Sequence, residues 1–304
     1  MDGPIRLSRE RMIIVMIIVT GANGKLGRAV VEQLLKRVPA EQIAVSVRDL
    51  NNAQELKDCG VRVRQGNFDD ADSLLHAFEG AAQVLIVSSG IMGKAGIRQH
   101  QTAIETAKKA GASRVLYTSH MGSSPTSHFP PMLNHAATEE LLQASGIAYT
   151  SLRNGFYTML AGMLIGRAIK VGELITPEDG PVAWTSHSDL AEATAAILSE
   201  QKFDGPTPNL TASEAMDMDG LAAIASEIIG QPLRRIVVSD KEYQALLQSQ
   251  GQPEDRVNML MGMFLASRNK EFAQTSTALA NLIGRAPMNI REVLKKSISL
   301  HTNE

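Results

Sequence analysis

Through its first 153 residues the chain alternates short apolar runs with longer amphipathic stretches, and few folds accept that rhythm. Residues 13–19 read as a strand. Residues 25–36 read as a helix with Leu26, Val30 and Leu34 on its buried side, ended by Pro39. Further strands are expected at 43–47, 61–64, 84–87, 114–118 and 148–152. Between them come helices at 54–57 with a stop at Gly60, from a cap at Asp69 or Asp70 to about Gly80, at 98–110 before Gly111, and at 135–144. Strands that are apolar throughout and alternate with helices predict an α/β fold, a parallel sheet covered by helices on both faces.

Beyond residue 153 the rhythm changes. Strand-like pieces shorten, at 173–175, 182–184, 208–210 and 235–238, while helices at 190–199 and 221–229 dominate. The stretch 254–265 carries Met259, Met261 and Met263, which suit either core packing or an adaptable wall against a flat ligand. With 304 residues and 44% apolar side chains, the chain can bury one large core or a domain plus a subdomain. The division expected is 1–15 as an extension, 16–153 as the sheet domain, and 154–304 as a smaller, mostly helical subdomain whose chain is free to cross back to the sheet.

The opening residues call for a separate reading. Arg6, Arg9 and Arg11 precede an apolar run at 12–19 that superficially resembles a secretory leader, but the run is too short to cross a membrane and no small-residue cleavage site follows it. Met12 and Met16 both begin Met-Ile-Ile-Val, so residues 1–15 read as lying outside the fold. Thirty basic against 32 acidic residues leave a net charge of -2, which argues against a broad basic surface for nucleic acid or anionic lipid. Cys59 stands alone, which removes any internal disulfide or multi-cysteine metal site. His100, His120, His128 and His135 lack a ligand spacing, so no metal is expected. A cytoplasmic protein with neither nucleic-acid nor membrane partners is the expectation.

Gly21, Gly24 and Gly27 fall between the first strand and the first helix. Small residues there let the backbone turn tightly and approach a pyrophosphate, while the helix N-terminus offers free N–H groups to it. The spacing Gly-x2-Gly-x2-Gly is that of extended and atypical short-chain dehydrogenases. Arg48 is the first side chain past the second strand, and a guanidinium there suits the 2′-phosphate of NADP(H). Asp49 follows and would suit NAD(H), so NADP(H) is favoured over NAD(H) rather than required.

The chain resembles the NmrA-like atypical short-chain dehydrogenase/reductase family, and within it the quinone- and dye-reducing members. The resemblance is carried by residues 20–27, 38–43, 47–48, 117–119, 135–139, 149–157 and 282–285, with the run from Tyr149 to Tyr157 the most specific. It implies a Rossmann-type doubly wound sheet with a substrate-side subdomain, NADP(H) as cofactor, a small aromatic or quinone-like substrate, and a homodimer. By the same resemblance Thr20, Gly21, Ala22, Asn23, Gly24, Lys25, Leu26 and Gly27 cradle the pyrophosphate and Arg48 meets the 2′-phosphate. Asn67 and Phe68 border the adenine, and Ser88, Ser89, Gly90 and Thr118 lie beside the dinucleotide. Arg153, Asn154, Gly155, Phe156 and Tyr157 approach the nicotinamide.

Ordinary short-chain dehydrogenases use a tyrosine with a lysine at the fourth following position. Here Tyr117, Tyr149, Tyr157 and Tyr243 are followed at that spacing by Met121, Arg153, Ala161 and Leu247. In the corresponding helix stand His135 and Glu139, whose i, i+4 spacing predicts that the carboxylate orients the imidazole. His135, Tyr157 and Asn154 are the candidate catalytic residues. Without a strong base, hydride transfer to a quinone or similar conjugated acceptor is favoured over alcohol oxidation. The alternatives are an NAD(P)-sensing NmrA-like regulator with little turnover and, lower, a reductase of the phenylpropanoid type.

Overall fold

The computed structural model describes residues 16–301. The proposed extension at 1–15, and residues 13–15 of the first expected strand, lie outside the described residues. Strands β1 (Ile17–Thr20), β2 (Ile43–Val47), β3 (Arg62–Gln65), β4 (Gln83–Ile86), β5 (Arg114–His120) and β6 (Ala148–Asn154) are joined by helices. These are α1 (Lys25–Leu34), α2 (Gln54–Asp58), α3 (Ala71–Ala77), α4 (Gly93–Lys109) and α5 (Pro130–Ser145). The chain continues through β7 (Phe156–Tyr157), α6 (Thr158–Val171), β8 (Glu173–Thr176), β9 (Trp184–Thr185), α7 (His187–Glu200) and β10 (Gly205–Pro206). It ends with α8 (Met218–Ile229), β11 (Arg234–Val237), α9 (Asp240–Ser249), α10 (Glu254–Arg268), α11 (Ala278–Ile283) and α12 (Ile290–His301).

Seven strands form one parallel sheet in the order β10-β6-β5-β4-β1-β2-β3. Alternate side chains feed two cores. Ile17, Val19, Val45, Leu85 and Leu116 pack under α1 and α7, whereas Ile18, Ala44, Val84, Ile86 and Val115 pack under α3, α4 and α5. A sheet buried on both faces explains why these strands are apolar at nearly every position. Chain order runs outward in opposite directions from β1 and β4, so a crevice opens at their C-terminal ends.

The second half is not detached from the first. β10 extends the sheet beside β6, and α7 and α11 pack on the α1 face. A third core, around Phe156, Trp184, Phe264 and Phe272, gathers α6, α8, α9, α10 and α12 beyond the strand ends. Met263 belongs to that core, while Met259 is exposed.

Several boundaries differ from expectation, each for a local reason. The strand expected at 208–210 forms instead at Gly205–Pro206, where the chain runs beside Thr150 and Ser151 and Thr207 N donates to the Ser151 carbonyl. Leu210 still bridges to Asn154, donating to the Arg153 carbonyl and accepting from Gly155 N. Helix α5 starts at Pro130, five residues ahead of 135, with prolines in its first turn where no N–H partner is needed. Asp70 rather than Asp69 caps α3, accepting from Asp72 N and Ser73 N.

Candidate active site

The phosphate loop occupies the crevice. Gly21 has φ +64°, a left-handed turn open to glycine, and its N–H donates to the Ser46 carbonyl at 3.1 Å. At Gly27 a Cβ would sit 2.4 Å from the Gly21 carbonyl oxygen, so only glycine lets α1 lie this close to the turn. Gly24 is the N-cap of α1 and supplies no side-chain cap, which leaves first-turn N–H groups for an anion. Thr20 is buried, its Oγ1 accepting from Val87 N at 2.9 Å and tying β1 to the loop after β4. Ala22 and Leu26 are buried supports. Asn23 donates to the Asp49 carbonyl at 2.8 Å, and Lys25 reaches Met159 Sδ at 3.3 Å.

At the end of β2 the two candidate cofactor selectors differ sharply. The Asp49 carboxylate accepts from Asn51 N at 2.9 Å and Asn52 Nδ2 at 3.0 Å, so it is spent on its own turn. Arg48 is exposed, only its carbonyl is held, by Gln65, and no partner engages its guanidinium among the described residues. Asn67 is fixed by Ser73 Oγ and Asp69 N, and Phe68 stands edge-on to His100.

The loop after β4 is pinned from below. Ser88 N donates to Thr118 Oγ1 at 2.8 Å, and Ser89 N donates to His100 Nε2 at 2.9 Å. A backbone N–H can only donate, so the His100 proton resides on Nδ1, facing Thr138 Oγ1 at 2.9 Å. Burial holds the His100 pKa down to about 4, keeping the ring neutral. Asn134 clamps the far end of the loop, accepting from Gly93 N at 3.0 Å and donating to the Ile91 carbonyl at 3.2 Å. Gly90 has open space around its Cα.

The expected pairing of His135 with Glu139 does not form. Glu139 accepts from Ser119 Oγ at 2.6 Å and takes both Arg153 Nε and Nη2, at 3.2 and 2.8 Å. His135 instead meets the Tyr117 hydroxyl through Nδ1 at 2.8 Å and stacks on His120. The reason is geometric: the face of α5 that carries both residues lies against β5 and β6, whose side chains intervene. Burial, with His120 and His100 nearby, holds His135 well below its ordinary pKa, while burial pushes the Tyr117 phenol up. Both groups are therefore neutral at neutral pH.

Asn154 ends β6 fully buried, and neither its Oδ1 nor its Nδ2 makes a hydrogen bond of regular geometry, the Tyr157 hydroxyl being within its electrostatic reach. Ser89 Oγ is likewise buried and unpartnered. Gly155 is required by packing, since a Cβ would lie 2.1 Å from Thr185 Oγ1. Phe156 is buried among His120, Phe129, Trp184 and Phe272. Tyr157 lies against the His187 ring with centroids 4.3 Å apart, and burial raises its pKa, partly offset by Asn154. His187, held down to about 4 by burial and then Lys25, escaped the sequence reading, as did Asn134, while Tyr117 and Ser119 stood out only as part of the 117–119 run of the resemblance. Only its adjacency to His135 hinted at Asn134, and nothing marked His187.

A glycine cradle at an uncapped helix start, set at the switch point of this sheet, fits a dinucleotide. The NAD(P)H-binding family matches residues 21–201. The chain is a member of that NAD(P)H-binding, NmrA-like family. Quinone oxidoreductase 2 of Escherichia coli (strain K12) is 34% identical over 91% of this chain and 96% of its own length. The crystal structure of the E. coli NADPH-dependent quinone oxidoreductase QOR2 with NADPH superposes with a TM-score of 0.88, at 33% identity, covering 92% of this chain and 99% of that one. Triphenylmethane reductase of Citrobacter sp. with NADP(H) gives 0.86, at 33% identity and the same coverages.

Proposed function

We propose that this protein is an NADPH-dependent oxidoreductase that passes hydride to a quinone or a similarly conjugated acceptor. The observation that carries the reading is the selector pair after β2, a free Arg48 beside an Asp49 already committed to its own turn. The similarity to quinone oxidoreductase 2 over nearly the whole chain supports the acceptor class. When bound, NADPH supplies the hydride; the protein supplies position and a dry, neutral surround.

In this reading residues 20–27 hold the pyrophosphate on N–H groups, and Arg48 grips the 2′-phosphate. Ser89 and the Asn154 amide hydrogen-bond the nicotinamide end, which satisfies buried polar atoms that make no regular hydrogen bond within the protein. Arg153 acts through Glu139, bracing the end of β6 against α5. His135, with Tyr117 donating to its Nδ1, presents a neutral Nε2–H that steadies the acceptor oxygen as negative charge develops there. No tyrosine–lysine dyad is needed, because the proton that completes reduction comes from solvent after hydride transfer.

The test is NADPH oxidation, followed at the nicotinamide absorbance, with a panel of small quinones and one triarylmethane dye, and with NADH in parallel. Turnover above the uncatalysed rate and faster with NADPH than NADH is expected. Tight NADPH binding with no oxidation across the panel would replace the enzyme by a dinucleotide sensor, and binding of neither nucleotide would refute both.

A further inference from the structure

A cavity of about 300 Å³ lies in the C-terminal half, between the outer part of α6, strand β8 and helices α9 and α10. Its volume falls at the lower end of the range for small-molecule sites. The cavity starts at Leu160, one turn past Tyr157, and continues to Arg167 and Val171. At 1.5 Å per helical residue, Arg167 stands about 15 Å along α6 from Tyr157. The far end of the cavity is therefore remote from the strand ends that form the crevice.

The walls are apolar, built largely from leucines such as Leu164, Leu174, Leu246 and Leu260. The polar groups at the rim are not balanced. Glu173, the one carboxylate of the lining, already accepts from Arg234 at 2.7 Å. Arg167 and Arg256 are exposed and make no ion pair or side-chain hydrogen bond among the described residues. Tyr243 is buried in the wall within the electrostatic reach of Arg167, and its hydroxyl has no hydrogen-bond partner among the described residues. Apolar walls with two uncommitted guanidinium groups and a free hydroxyl complement one chemistry, a hydrophobic body carrying a single anionic head.

We propose that this cavity is a second binding site for an amphipathic organic anion, with an aromatic or alkyl body against the leucines and a carboxylate or sulfonate between Arg167 and Arg256. The site is independent of the reductase reading, since none of its residues belongs to the crevice. The probe is 8-anilinonaphthalene-1-sulfonate, titrated by fluorescence against the full chain with and without saturating NADP+, which does not fluoresce. A saturable single-site enhancement is expected, unchanged by NADP+ or by a small quinone. The double variant Arg167→Glu/Arg256→Glu should weaken it by about ten-fold or more, by replacing attraction with repulsion at two contacts. The uncharged analogue N-phenyl-1-naphthylamine should bind the native protein more weakly and show no loss in the double variant. Both side chains are exposed, so the variant should keep the native melting temperature and dinucleotide binding. Displacement of the probe by NADP+ or quinone, an unchanged affinity in the double variant, or no saturable binding would each overturn the proposal.

Discussion

In the proposed function Arg48 carries the cofactor preference at the scale of one side chain. A hydrogen bond to a charged group contributes about 1.5–3 kcal/mol, and reversing the charge adds repulsion. Arg48→Glu should therefore raise the KM for NADPH by about ten-fold or more while leaving the KM for NADH nearly unchanged, measured by initial rates with both. Equal losses with the two nucleotides would remove Arg48 from the 2′-phosphate. Gly27→Ala tests the cradle: with Cβ forced to 2.4 Å from the Gly21 carbonyl, α1 must move, and about 1–3 kcal/mol of stability should go with dinucleotide affinity. Urea midpoints and NADPH titration would show both. The glycine turn was legible because backbone clearance acts locally, within the few residues a motif spans. His135 and Glu139 were legible as neighbours but not as partners. Helical spacing fixes which side chains share a face, yet Tyr117 and Ser119 of β5 and Arg153 of β6 reach that face from the two flanking strands, which spacing along the helix does not show.

Elements were read well where burial pattern decided them and poorly where termini did. Strand β2 matched its expected bounds because five consecutive apolar or small residues are buried on both faces. Helix α4 begins at Gly93, five residues before the expected position 98, since Gly93 and Gly96 look like loop residues to any propensity argument. Gly96 is inside the helix for another reason: a Cβ would meet the Ile91 carbonyl at 1.9 Å and Asn134 Nδ2 at 2.9 Å. The start of α4, the loop after β4 and α5 thus form one joint, and Asn134 is its pin. Asn134→Ala leaves Gly93 N without its side-chain acceptor and frees the loop, at a cost of about 1–3 kcal/mol. The expected outcome is a higher KM for NADPH with faster amide exchange confined to residues 88–96. Exchange spread over the whole sheet would mean that the loss is global and the pin is not local.

At the scale of the whole molecule, the two halves share one sheet through β10 and one core through α7 and α11. Arg285, in the 282–285 run that helped carry the family resemblance, reaches back to the buried Asp189 of α7 at 2.7 Å and to Glu192 at 2.6 Å. Asp189 also accepts from Met288 N and Ser186 Oγ, so the sequence motif marks a clasp between chain segments and not a contact with substrate. Acid should open the molecule at a different place. His100 and His120 are buried, and burial holds their pKa values at about 4 and about 3 against an ordinary 6.5. The unfolded chain then binds more protons than the folded one between these limits. Stability is complete above pH 6.5 and falls as the pH drops toward the folded values, by about 1.4 kcal/mol per pH unit for each such histidine. His100 has a second consequence: once protonated, its Nε2 no longer accepts from Ser89 N, so the loop after β4 should lose that anchor. His100→Gln keeps an amide acceptor for Ser89 N and a donor for Thr138 Oγ1 but cannot titrate in this range. Between about pH 6 and pH 4.5, its unfolding free energy from urea titration should depend on pH less steeply than the native protein's, by about one proton. A slope equal to that of the native protein would mean that His100 does not titrate on unfolding, and that the acid sensitivity belongs to other groups, His120 among them.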